Sequence, residues 1–177
     1  MKTLGKGPLY LVSFMGGGKS KQAKILAEIM GWDVLEMDAL IVERMGISIN
    51  AAFDDPSLGE TYFRGVELEV LREASLRENL IVSTGGGAFC QPWNRDIMLE
   101  SGVVVWIDVD PPIIQKRLEK KTDRPLARDP EKLAKLFEER RPLYAHADFR
   151  VHVDIEVPAE DVAERILRAI SWPQRNS

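Results

Sequence analysis

Ser13-Phe14-Met15-Gly16-Gly17-Gly18-Lys19-Ser20 is the stretch whose residue types and spacing could do chemistry. Holding a polyphosphate takes a backbone loose enough to turn several N–H groups inward and a helix N-terminus aimed at the anion. It also takes a lysine for the β- and γ-phosphates and a hydroxyl for Mg²⁺. Gly16, Gly17 and Gly18, then Lys19, then Ser20 supply these in order. The pattern is the phosphate-binding loop G-x-x-x-x-G-K-[ST], with Ser13 where the first glycine is expected. That glycine eases the chain out of a strand, so a serine there is expected to strain the turn or change its detail.

Three further groups could act with this loop. Glu36 and Asp38 are two residues apart after the short run Asp33-Val34-Leu35, a spacing that on an extended segment places both carboxylates on one side at a strand's end. Leu80-Ile81-Val82-Ser83 leads into Thr84-Gly85-Gly86-Gly87, which is either a plain turn or a place where a ligand approaches the backbone closely. Arg64 and Glu67 stand three apart on a helical pattern and can pair; by themselves they read as solvated surface charges.

The elements that must position these groups are legible in the hydrophobic periodicity. Leu9-Tyr10-Leu11-Val12 reads as a strand before the loop, and Ala23, Ile25, Leu26, Ile29 and Met30 as a helix after it, ended by Gly31. A second helix runs from Asp38 through Leu40, Ile41 and Met45 to Gly46, and a short one starts at Ser48. Ser57-Leu58-Gly59-Glu60 reads as a capping box for a longer helix carrying Phe63, Val66, Leu68, Val70 and Leu71. Pro92 opens a helix that ends near Ser101-Gly102, and Val103-Val104-Val105-Trp106-Ile107 follows as a buried strand. Asp108 mimics the acidic residue of a nucleotide-binding strand, but Asp110-Pro111-Pro112 behind it favours a loop or cap leading to a helix from about Ile113 to Lys120. Residues 121–130, charged and holding Pro125 and Pro130, form either a surface loop or a lid over a charged ligand. Asp129 and Pro130 then cap a helix reaching Arg140-Arg141-Pro142-Leu143-Tyr144, Arg150 to Asp154 alternates as an edge strand, and Pro158 to about Ile170 is the last helix. Five strands alternating with helices predict one domain over 1–177, a three-layer α/β/α sandwich around a five-stranded parallel sheet.

Composition narrows the function classes. With 45% hydrophobic and 29% charged residues and a net charge of −4, neither a nucleic acid nor an anionic membrane surface is an expected partner. The single cysteine, Cys90, excludes an internal disulfide, reads as a passive thiol and fits a cytoplasmic location, as does the lack of an apolar signal core before Leu9. His146 and His152 read as isolated, without metal-ligand company, and Trp32, Trp93, Trp106 and Trp172 are expected to pack rather than to stack on a ligand. No helix is apolar all round, so a monomer is expected.

Taken together, Met15 to Ser20, Phe63-Arg64-Gly65-Val66-Glu67, Gly85-Gly86-Gly87, and Arg124-Pro125-Leu126 followed by Arg140-Arg141-Pro142-Leu143-Tyr144 resemble the shikimate kinase family, from about Leu9 to the last helix. The resemblance implies a P-loop kinase fold and an ATP- and Mg²⁺-dependent small-molecule kinase acting on the 3-hydroxyl of shikimate, in aromatic amino-acid biosynthesis. It implies substrate-binding helices over about 38–76 and a lid over about 121–130. By the same resemblance Asp38 holds the acceptor hydroxyl, Arg64 and Arg140 clamp the carboxylate, and Gly85, Gly86 and Gly87 line the ring, with Glu67 orienting Arg64. Gly16 to Ser20, Lys21, Arg117 and Arg124 fall to ATP, with Arg117 against the adenine, Lys19 and Arg124 on the phosphates, and Ser20 and Glu36 on Mg²⁺. Ser13, Lys21 and Glu36 depart from the family's usual residues, Glu36 by replacing the first aspartate of an Asp-x-Asp pair. Two alternatives stand beside this reading: a relative with an aminoshikimate- or gluconate-like acceptor, and a nucleotide-binding homologue without kinase activity.

Overall fold

The strands that flank the phosphate loop are apolar without interruption, and that decides where they lie. Leu9–Val12 (β1), Leu80–Ser83 (β3) and Val103–Val109 (β4) are buried along their whole length, as strands covered on both faces must be. Asp33–Glu36 (β2) and Phe149–Val153 (β5) are partly exposed and take the two edges. The result is one parallel sheet in the order β2-β3-β1-β4-β5, the three-layer sandwich predicted above. This computed structural model describes residues 4, 5, 7–119 and 129–171. Trp172 and residues 121–128 of the expected lid, Arg124 among them, lie outside the described residues.

The helices are Lys19–Met30 (α1), Met37–Met45 (α2), Ile49–Asp54 (α3), Gly59–Ser75 (α4), Pro92–Ser101 (α5), Pro111–Glu119 (α6), Pro130–Tyr144 (α7) and Ala159–Ala169 (α8). Their punctuation follows local chemistry. Gly31 and Gly46 end α1 and α2 in the left-handed conformation, Ser48 caps α3 through Ala51 N, and Asp129 caps α7 through Lys132 N at 3.1 Å.

Parallel pairing sets the site. Leu11 of β1 lies opposite Ser83 of β3, and Ser83 lies opposite Glu36 of β2, so the three strands end at one level. The loops leaving them therefore emerge side by side at the carboxyl edge of the sheet, where open α/β folds bind ligands.

Five expectations change. Asp38 does not share a strand end with Glu36: β2 stops at Glu36, and the helix expected from Asp38 opens one residue earlier at the fully buried Met37, so Asp38 falls in its first turn, where a carboxylate is favoured by the helix dipole. The capping box does not form, because Asp55 Oδ1 accepts from Ser57 N at 2.7 Å and Ser57 Oγ at 2.6 Å, while Gly59 at φ +65° turns the chain into α4. Asp108 is neither loop nor cap but a buried residue of β4, paired with Arg150 at 2.5 Å and Arg141 at 3.8 Å. Trp93 is 68% exposed rather than packed. His152 is not isolated, since its Nε2 lies 2.8 Å from Asp110 Oδ1.

Leu71 and Leu76 test how burial converts into stability on one element, since Leu71 on α4 is 0% exposed and Leu76 at its end is 86% exposed. Leu71→Ala is expected to cost about 2–5 kcal/mol in denaturant unfolding, and Leu76→Ala less than about 0.5 kcal/mol.

Candidate active site

The phosphate loop turns through two left-handed glycines, Gly16 at φ +81° and Gly18 at φ +89°, and closes on a Gly17 N–H that donates to Phe14 O at 3.1 Å. Lys19 and Ser20 occupy the first turn of α1, which holds no acidic residue, so the positive end of the helix faces the loop's cavity. Ser13 does not strain the turn. Its φ is negative, its buried Oγ donates to Phe14 O at 2.9 Å, and both its Oγ and its carbonyl accept from Lys19 Nζ at 3.2 Å. The serine thus changes the detail of the turn: it adds a hydroxyl that holds the lysine at the loop's floor. In exchange, Gly17 becomes obligatory, because a Cβ there would sit 2.3 Å from Ser13 Oγ and 2.7 Å from its Cβ.

A cavity of about 840 Å³ opens from this loop along the carboxyl edge of the sheet. At one end it is lined by Lys19, Ser20, Glu36, Asp38 and Gly86, at the other by Val109, Arg117, Val157 and Val162, and the exposed Lys21 stands on its rim. Arg117 Nη1 donates to Gly16 O at 3.2 Å, and its Nε and Nη2 donate to Glu156 Oε1 at 3.1 and 2.8 Å, which holds the guanidinium across the far end.

Ser20 Oγ donates to Glu36 Oε2 at 2.9 Å and lies 3.4 Å from Ser83 Oγ. Glu36 Oε1 is buried with no hydrogen-bond partner among the described residues. A carboxylate oxygen left without a donor beside two hydroxyls, next to a phosphate loop, is an oxygen donor set suited to a hard divalent cation such as Mg²⁺.

Beyond Asp38 the site becomes cationic. Gly87 lies under two guanidinium groups: a Cβ on it would be 3.3 Å from Arg140 Nη2 and 3.4 Å from Arg64 Nη2. A Cβ on Gly85 would be 2.6 Å from Asp38 Oδ1. A side chain on Gly85 or Gly87 would push these charged tips aside, and the carboxylate of α2, the arginine of α4 and the arginine of α7 converge on one loop. Arg64 is held by Glu67 at 2.9 Å and Glu60 at 3.0 Å and lies over the Phe63 ring; Arg140 lies over Phe14. Glu67 is only 1% exposed and also accepts from Asn94 Nδ2 at 3.0 Å. Burial pushes its carboxyl above the usual carboxylate range, against the pull of Arg64 and Asn94, and the nearby Asp38 adds to the rise. The Arg64–Glu67 pair is thus part of the site, not a solvated surface pair.

With this geometry in place the comparisons decide the family. The family model described as shikimate kinase matches residues 15–171. The chain belongs to the shikimate kinase family. It is 40% identical over 163 residues to the shikimate kinase of Sulfurihydrogenibium sp. (strain YO3AOP1), covering 92% of this chain and 96% of that one. It is 42% identical over 173 residues to the shikimate kinase of Synechococcus sp. (strain CC9605), covering 96% and 85%. Among solved structures, shikimate kinase from Acinetobacter baumannii in complex with shikimate superposes with a TM-score of 0.85 at 33% identity over 93% of each chain. Family membership makes the chain an ATP-dependent small-molecule kinase with the P-loop kinase fold.

Of the residues the shikimate kinase resemblance singled out, Gly16 to Lys21, Glu36, Asp38, Gly86 and Arg117 line one cavity, while Arg64, Arg140, Gly85 and Gly87 gather at its edge. Burial pushes the Cys90 thiol above its usual range, against the pull of Arg140. Sequence reasoning missed Ser83, Asn94 and Tyr144 as parts of the site. Ser83 could have been found from its place before Thr84-Gly85; Asn94 carries no local signal, because only the packing of α5 on α4 brings it to Glu67.

Two outcomes follow. Gly17→Ala is expected to lose ATP-dependent turnover, and the Ser13→Gly background is expected to restore part of it, since the two closest clashes go; steady-state kinetics of the double-mutant cycle check this. Glu67, with its folded pKa raised, stabilises the fold fully below its unfolded pKa near 4.3, and that contribution is lost as pH rises through the folded value. Glu67→Gln is therefore expected to flatten the fall of stability with pH above about 4.3 in denaturant titrations.

Proposed function

We propose that this chain transfers the γ-phosphate of ATP to the 3-hydroxyl of shikimate, a step of aromatic amino-acid synthesis. The observation that carries the reading is the convergence of Arg64 and Arg140 on Gly87, beside the Asp38 carboxylate and across from Lys19 and Ser20. Two guanidinium forks suit a small carboxylate, because their planar donors match both of its oxygens.

In this reading the triphosphate lies against the N–H groups of Gly16 to Ser20, with Lys19 on its β- and γ-phosphates, Lys21 along its flank and Arg117 against the base. Arg124 of the lid adds charge to the transferring group. Ser20 and Glu36 would hold Mg²⁺, which when bound would supply positive charge to the phosphates. Shikimate seats its carboxylate between Arg64 and Arg140 and its ring on Gly85, Gly86 and Gly87. Asp38 accepts the proton of the 3-hydroxyl as that oxygen bonds to the γ-phosphorus and the bond to the bridging oxygen of ADP breaks. The protein's contribution is alignment and preorganised charge, which is most of what phosphoryl transfer asks. We take the enzyme to act as a cytoplasmic monomer on free small molecules, without nucleic acid or membrane. The net charge of −4 offers no attraction for nucleic acid or an anionic membrane, and no described helix is long and apolar enough to cross a membrane.

A coupled ADP-release assay with shikimate, quinate, gluconate and no acceptor tests the reading. Turnover is expected with shikimate, reduced about 10²–10⁴-fold in Asp38→Asn, and requiring more Mg²⁺ in Glu36→Ala. Equal ADP release with every acceptor, or none with any, would overturn it.

A further inference from the structure

We propose that Tyr144 is a positioning residue for the acceptor, setting Arg140 in register with the glycine loop through a hydrogen bond from its hydroxyl to Gly86 O. The proposal rests on the reading of Arg140 as a carboxylate clamp.

Phe137, Arg140 and Tyr144 are spaced three and four residues apart and so share one face of α7. Each meets a different part of the site. Phe137 packs edge-on against Phe14 of the phosphate loop, with ring centroids 5.3 Å apart; Arg140 reaches over Gly87; and Tyr144, 2% exposed, donates to the carbonyl of Gly86. This face bridges the phosphate loop and the glycine loop. The Tyr144 ring is itself fixed, stacked on Trp106 of β4 at 6.0 Å and 29°.

Pro142 explains why the anchor matters. It lies inside α7 between Arg140 and Tyr144, and its missing N–H removes one helical hydrogen bond from that turn. That turn is held by one backbone bond fewer than an unbroken helix, and the Tyr144 hydroxyl adds an attachment that ties it to the loop that Arg140 faces. Burial raises the phenol pKa, so the hydroxyl remains a donor at any working pH.

The test is Tyr144→Phe, which keeps the ring and its stacking and removes the hydroxyl, with its bond to Gly86 O and its contacts to Arg140 and Cys90. The Michaelis constant for shikimate is expected to rise about tenfold, the consequence of one lost hydrogen bond, with that for ATP within about twofold. In an Arg140→Ala background the same change is expected to add nothing, since the effect passes through Arg140. An unchanged Michaelis constant for shikimate, equal rises for both substrates, additive effects in the double mutant, or a Tyr144→Phe protein that no longer melts cooperatively would each overturn the proposal. A wild type that does not turn over shikimate would overturn the substrate reading and this proposal with it. A wild type active with shikimate, impaired by Arg140→Ala and unaffected by Tyr144→Phe, would overturn this proposal alone.

Discussion

The parallel pairing of β1 with β3 is the constraint on which the rest of the molecule depends. Leu9, Tyr10 and Leu11 lie opposite Ile81, Val82 and Ser83, and Thr84 extends the junction by one residue, its N–H and Oγ1 both donating to Leu11 O at 3.3 and 2.9 Å. That register brings the phosphate loop and the glycine loop out of the sheet together. Both strands are fully buried, so a slip of one residue would turn core side chains to the wrong face. The hydrophobic core therefore determines the distance between the two loops.

Charge is then sorted by depth. Glu67 sits in the stripe of α4 that faces the core, where a carboxylate survives only because Arg64 and Asn94 satisfy it. What it supports is a guanidinium whose direction is set from beneath. Asp108 resembles a metal-site acid in sequence but serves the sheet instead. Arg150 stacks on Trp106 and pairs with Asp108, tying β5 to β4. The cavity beside the phosphate loop draws its acid from Glu36, whose longer arm reaches Ser20 from the edge strand β2.

The departures from the usual family residues resolve into local substitutions of equivalent chemistry. Ser13 replaces backbone freedom with a hydroxyl that holds Lys19, and Gly17 absorbs the steric consequence. Glu36 keeps the negative charge and leaves Oε1 without a donor, as a cation ligand requires. Lys21 adds a cation at the rim of the cavity beside the phosphate loop. None of the three removes a group that phosphoryl transfer needs, which is why an inactive homologue finds no support in the site.

Sequence by itself determined the fold class, the phosphate loop and the order of the elements. Apolar runs bounded by glycines report strands through their immediate neighbours, and the spacing of Gly16 to Ser20 is a local property of backbone and helix. The resemblance of four separated motifs placed Asp38, Arg64 and Arg140 in roles that the geometry accommodates. Tertiary structure alone decided the rest. Whether α2 opens at Asp38 or one residue earlier turns on the burial of Met37; whether Asp108 faces a ligand or Arg150 turns on which strand pairs with β4. The work of Asn94 and Tyr144 is also invisible along the chain, because the partners that define it, Glu67 and Gly86, are 27 and 58 residues away. Local periodicity encodes what a residue is within its own element, and only packing between elements encodes what it touches.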